Sequence, residues 1–120
     1  MMDAKERGRR GEEVAAAHYR EQGYAIAACN YRVRGGEIDI VAARDGTLVF
    51  AEVKSRTTGG QAAPREAVDV RKQQRLILAA QHYLAEHCEE EPFVRFDVVE
   101  VLFSPGREPQ LHCIENAFFG

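Results

Sequence analysis

The chain has 120 residues and 13.4 kDa, of which 45% are hydrophobic and 29% charged. That is the composition of one globular domain, residues 1–120, able to bury roughly two-thirds of its unfolded surface without a disulfide or metal staple. A net charge of −3 speaks by itself against a polyanion binder. The apolar runs fall far short of the ~20 residues of a membrane span, and charged Met1–Arg10 is no secretory signal.

The first element is a helix from about Ala4 to Gln22, with Val14, Ala15, His18 and Tyr19 as an apolar stripe and Gly23 as its stop. Tyr24 to Val33 reads as a strand, Arg34-Gly35-Gly36 as a turn, and Glu37 to Ala43 as a second strand. Asp45-Gly46 is a strong hairpin pair leading to a third strand, Thr47 to Arg56. A loop with Thr57-Thr58-Gly59-Gly60 precedes a long helix from about Pro64 to His87. Phe93 to Phe103 alternates as a fourth strand, and Leu111 to Ile114 supplies a fifth. The order α-β-β-β-α-β-β implies an antiparallel meander of strands one to three. A helical crossover then makes strands three and four parallel. The expected class is α/β in the broad sense, an α+β mixed sheet flanked by helices.

Charge is divided along the chain. Residues 1–75 hold fourteen basic and eleven acidic side chains, whereas 76–120 hold two and eight. A protein that is acidic overall can still turn a positive face to phosphates, because the local field decides where a polyanion docks. Unrelated solvated charges are the plainer reading of the same counts.

Period two puts Glu37, Asp39 and Val41 on one face of the second strand and Ile38, Ile40 and Ala42 on the other. In the third strand Leu48, Phe50, Glu52, Lys54 and Arg56 share a face. Carboxylates among apolar neighbours are costly unless paired or bound to a cation. Hairpin-linked strands can bring Asp39 and Glu52 together, and oxygen-only ligands favour Mg²⁺ or Mn²⁺. Lys54 projects to the side of Glu52, where it could neutralise a phosphate or orient a water. The alternative is an exposed sheet edge with an ordinary Glu–Lys pair. On the first helix Glu12 borders the apolar stripe and can approach these carboxylates, while Glu13 faces solvent. On the second, Lys72 lies in line with Val68, Leu76, Ala79 and Tyr83, where it either snorkels or, with Arg75, meets phosphate. Asp97 alternates outward from Phe96 and Val98, towards an arginine partner.

The three cysteines, Cys29, Cys88 and Cys113, are odd in number and far apart, as free thiols in a reducing cytoplasm would be. A zinc set from His87, Cys88, His112 and Cys113 is disfavoured, because neighbours on a strand face opposite ways.

Together, Gly11-Glu12, Gly23-Tyr24, Asn30, Gly36-Glu37-Ile38-Asp39, Phe50-Ala51-Glu52-Val53-Lys54-Ser55-Arg56, Lys72, Ala79-Ala80, Tyr83-Leu84 and Arg95-Phe96-Asp97 resemble the YraN-type bacterial proteins, uncharacterised protein family 0102. That family is related to the resolvase-like nucleases of the restriction-endonuclease-like superfamily. The resemblance implies a restriction-endonuclease-like core in which Asp39 and Glu52 are metal ligands and the Val53 carbonyl is a further one. It makes Lys54 the catalytic lysine and Glu12 the helix acid completing the site. Ala51, where a larger aliphatic residue is usual, and Ile38, where the superfamily often has Pro, depart from the pattern.

The expected function is hydrolysis of phosphodiester bonds with Mg²⁺ or Mn²⁺, in structured or branched DNA. Arg7, Arg9, Arg10, Arg34, Arg56, Lys72 and Arg75 would contact phosphates, which fix position without reading sequence. A homodimer, the form of resolvase-like relatives, would suit paired cuts. The competing expectations are a catalytically silent module of the same fold that binds nucleic acid or a protein partner, and a structural subunit docking through acidic 76–120.

Overall fold

The computed structural model describes residues 2–58 and 69–118. Helix α1 spans Ala4–Glu21, followed by β1 (Ala25–Val33), β2 (Gly36–Arg44), β3 (Thr47–Thr57), α2 (Val70–His87), β4 (Phe93–Phe103) and β5 (Gln110–Phe118). The five strands form one sheet in the order β1-β2-β3-β4-β5. All neighbours are antiparallel except β3 and β4, which run parallel from Thr47↔Phe93 to Thr57↔Phe103. This is the α+β architecture and element order that the sequence implies.

Local chemistry explains the boundaries. Asp3 caps α1, its carboxylate accepting from the Glu6 N–H at 2.8 Å. Asp45 and Gly46 both adopt positive φ, 49° and 79°, as the tight β2–β3 hairpin demands. The expected start of α2 at Pro64 lies outside the described residues. Asp69 caps the helix at Val70, accepting from the Lys72 N–H at 2.8 Å. β5 runs beyond the expected Ile114 because its pairing with β4 resumes after an irregularity. Phe118 thereby comes opposite Phe96, with ring centroids 5.2 Å apart.

Both faces of the sheet are covered, so the central strands are apolar on two sides. Gly11, Ala15, Ala16 and Tyr19 of α1 are its buried residues, and α1 packs over Ile40, Val49, Ala51 and Val99. Val14 and His18, expected in that stripe, flank it half-buried. On the opposite face Leu76, Ala79, Ala80 and Tyr83 of α2 pack over Val41, Phe50, Phe96 and Val98. Among the described residues no helix is long and apolar enough to cross a membrane.

Asp97 points away from Phe96 and Val98 and pairs with an arginine, Arg95, as expected, but the face it enters lies under α1 rather than outward, and its side chain is wholly buried. The Tyr19 hydroxyl donates to it at 2.6 Å, the Arg95 guanidinium at 2.8 and 2.9 Å, and the Asn116 N–H at 3.0 Å. Burial and the adjoining Asp97 charge push the Tyr19 hydroxyl pKa up, and the Asp97 hydrogen bond raises that of Arg95. Every polar group at this point has its partner.

Candidate functional site

The site grows from a fork in the sheet. The β2–β3 ladder runs from Arg44↔Thr47 to Ile40↔Ala51. Beyond that rung β2 goes on pairing with β1 as far as Gly36, and β3 with β4 as far as Thr57. Asp39 sits in the crotch of the fork, where its carboxylate takes the place of a main-chain partner and accepts from the Val53 N–H at 2.7 Å. Side-chain alternation also fails here. Ile38 joins Val41 in the cluster under α2, whereas Ile40 and Ala42 face α1. The expected common face for Ile38, Ile40 and Ala42 is therefore corrected. β1 changes face in step, since Ala28 and Tyr31 both pack against the α2-side cluster, with Asn30 between them at φ 52°. Asn tolerates this left-handed conformation better than most residues.

Glu37, Asp39 and Glu52 line a cavity of about 200 Å³, closed by Lys72, Arg75 and Leu76 of α2. The helix comes this close because of Gly36, where a Cβ would stand 2.6 Å from the Arg75 carbonyl oxygen. On the other side α1 approaches β3 at Gly11, where a Cβ would lie 1.8 Å from Ser55 Oγ, a buried hydroxyl without a partner among the described residues.

The electrostatics follow from this crowding. Burial pushes the Asp39 carboxyl up to about 7; the Val53 hydrogen bond opposes the rise, and the charges of Glu12, Glu37 and Glu52 add to it. Burial likewise raises Glu52, while Lys54 and Lys72 pull it back. Desolvated carboxylates held against one another and faced by lysine and arginine are a site short of positive charge. Such perturbed groups in a cleft make it a candidate functional site.

The residues expected at the site divide into three sets. Asp39, Glu52, Lys72 and Arg75 share the cavity, with Lys54 near enough to act on Glu52. Glu12 lies half-buried along a separate groove with Arg9 and Arg32, but its charge reaches Asp39. Glu13 instead pairs with Arg9 at the surface, at 2.6 Å. Arg7 and Arg10 lie at the far end of α1 beside Phe103, and Arg34 is exposed in the β1–β2 turn. Glu37, whose carboxylate stands 3.5 Å from Arg32, was not among the expected site residues although it stands two positions before Asp39. Cys88 and Cys113 pack into core clusters on opposite faces of the sheet, so they cannot share an ion.

A divalent cation suits this donor set. Among the described residues no three His, Cys, Asp or Glu side chains form a ready cage. Mg²⁺ is commonly held by one or two carboxylates, with water and substrate phosphate supplying the rest. Asp39 and Glu52 are the carboxylates of the cavity that could serve in this way, and burial is the first cause of the rise in each.

The profile of uncharacterised protein family UPF0102 matches residues 11–101. The chain belongs to that family. A UPF0102 protein of Porphyromonas gingivalis is 45% identical over 119 residues, covering 98% of this chain and 87% of the relative. The UPF0102 protein STH1475 of Symbiobacterium thermophilum is 48% identical over 113 residues, 92% and 94% of the two chains. A UPF0102 protein of Geobacter metallireducens is 45% identical over 115 residues, covering 95% and 93%. The UPF0102 match begins within α1 at Gly11, covers all of α2 and takes in the fork, including Glu12, Gly36, Asp39, Glu52, Lys54 and Lys72.

Proposed function

We propose that this UPF0102 protein is a divalent-metal-dependent nuclease, acting in the cytoplasm on the phosphodiester backbone of structured or branched DNA. The carrying observation is Asp39. Its half-buried carboxylate is clasped at the fork by the Val53 N–H, feels the charges of Glu12, Glu37 and Glu52, and shares its cavity with Lys72 and Arg75. A structural carboxylate has no use for like-charged neighbours, but a cation ligand beside a phosphate site does.

In this reading Asp39 and Glu52 hold Mg²⁺ or Mn²⁺, with the Val53 carbonyl and Glu12 as further oxygen donors. The ion supplies Lewis acidity towards a phosphodiester and a water. Lys54, beside Glu52, orients the attacking water and offsets developing negative charge. Lys72 and Arg75 hold the phosphate at the cavity mouth, where α2 is pinned by its contact with Gly36. Arg9, Arg34 and Arg56 supply phosphate contacts outside the cavity.

The test is cleavage of branched DNA, linear DNA and RNA with Mg²⁺ or Mn²⁺, alongside Asp39→Asn and Lys54→Ala. The expected result is cleavage by wild type at least a hundredfold faster than by either variant, of the order that general acid–base and oxyanion groups contribute. Equal residual activity in all three proteins, or none in wild type, would remove the catalytic reading in favour of a silent binding module.

A further inference from the structure

A second groove lies where α1 meets the ends of β3 and β4. It encloses about 680 Å³, three times the space at the fork, and carries Arg7 and Arg10 from α1 and Arg107 from the β4–β5 loop. Glu6 is its acidic member, and Thr57 and Thr58 form its floor at the end of β3. The local balance is positive, although Arg107 belongs to the acidic third of the chain. The floor also carries Phe103, but the ring is buried and Arg10 stands over it at 5.4 Å from the centroid. No base can stack there. The groove offers guanidinium groups and threonine hydroxyls, the chemistry of a phosphate backbone grip that reads no bases.

The groove and the fork cavity lie on opposite faces of the sheet, the groove beside α1 and the cavity under α2. Thr57 is three residues beyond Lys54 on β3, an odd step that turns it to the α1 face. A backbone that reaches the groove from the fork therefore bends round the sheet, a path that suits a flexible single strand and not a duplex, whose persistence length is about 50 nm.

We infer that the groove between Arg7, Arg10 and Arg107 is a docking site for the sugar–phosphate backbone of a single nucleic-acid strand. It would hold a stretch of that strand beyond the phosphodiester at the β2–β3 fork. The inference rests on the proposed nuclease reading for its ligand, and it names the single-stranded arm of a branched substrate as what that site requires. Arg107 is its most informative member, because it is exposed on a loop and its replacement leaves the core untouched.

The experiment is fluorescence anisotropy of a labelled single-stranded oligonucleotide with the full chain in EDTA, where cleavage does not intervene, across a salt series. Arg107→Gln and Arg10→Gln/Arg107→Gln are compared with wild type. Arg20→Gln, at the other end of α1, serves as the charge-matched control. The expected result is a loss of roughly fivefold for R107Q and over tenfold for the double variant. The slope of log affinity against log salt should become shallower by roughly 0.7 per arginine, with R20Q unchanged. Unchanged affinity and slope in both groove variants, or an equal loss in R20Q, would overturn the inference. Inorganic phosphate competing as well as the oligonucleotide would also overturn it, since the groove would then hold an isolated anion. If the groove variants lose binding while wild type cleaves nothing with Mg²⁺ or Mn²⁺, the groove stands and the nuclease reading falls. If wild type cleaves and the variants bind normally, the reverse holds.

Discussion

Two aspartates withdrawn from solvent, Asp97 fully and Asp39 in part, have opposite environments. Asp97, under α1, meets a tyrosine hydroxyl, a guanidinium and a main-chain N–H within 3.0 Å. Asp39, at the edge of α2, accepts one main-chain N–H and is otherwise approached by Glu12, Glu37 and Glu52. The first carboxylate is satisfied and the second is not, although both cost the fold desolvation. Burial alone therefore does not mark a functional acid. What marks it is burial among groups that raise its energy, in a cavity open to something that would lower it.

Breaking the comparison at Asp97 should have the largest effect. Asp97→Ala leaves Arg95, Tyr19 and the Asn116 N–H without their shared acceptor, and should cost about 3–5 kcal/mol. Chemical denaturation measures this; a loss below about 1 kcal/mol would mean that water replaces the carboxylate and that the pocket under α1 is less dry than its packing implies.

At Asp39 the sign reverses. Its carboxyl is raised from 3.8 to about 7, so its favourable contribution is complete below pH 4 and is lost as pH rises through 7. Asp39→Asn keeps an oxygen for the Val53 N–H and has no charge to lose. In EDTA the variant should be more stable than wild type at pH 8 by about 1–2 kcal/mol, a few degrees in Tm, and the gain should vanish near pH 4. Mg²⁺ should narrow the gap by stabilising wild type alone. A destabilised variant at pH 8 would make Asp39 a second Asp97.

The smallest effect separates two adjacent glutamates. Glu12→Gln should lower the Asp39 titration midpoint, followed by carboxyl NMR, because one like charge has gone. Glu13→Gln should leave it where it is, since Glu13 is engaged with Arg9 at the surface. Equal shifts in both would show that the whole helix field, rather than Glu12, acts on the site.

Much of this was legible in residue order. The hairpin at Asp45-Gly46 and the helical crossover specify the meander and the parallel β3–β4 pair, and the period of β3 puts Glu52 and Lys54 together. Helical periodicity separates Glu12 from Glu13 and aligns Lys72 with the α2 core. The change of face at Asn30 and Asp39 was not legible, because a period-two pattern assumes an unbroken strand and a single left-handed residue leaves only a weak signal. Arg107 escaped for another reason. It comes from the acidic third of the chain, and only the packing of α1 beside the β4–β5 loop brings it near Arg7 and Arg10. The face of Asp97 and its arginine partner were legible but its burial was not, because alternation shows that two residues face opposite ways without showing that a helix covers the second face.

The fork has a mechanical consequence. β1 and β2 form one blade and β3, β4 and β5 another, zipped together from Arg44↔Thr47 to Ile40↔Ala51. Beyond that zip Asp39 is a clasp between the blades, holding β2 to Val53. The spacing of Asp39 and Glu52, which stand on different blades, is therefore set by how far the blades open, and Gly36 under α2 limits that opening from one side. A substrate strand lying across both blades would act on the carboxylates through the sheet itself, as a lever acts on a jaw.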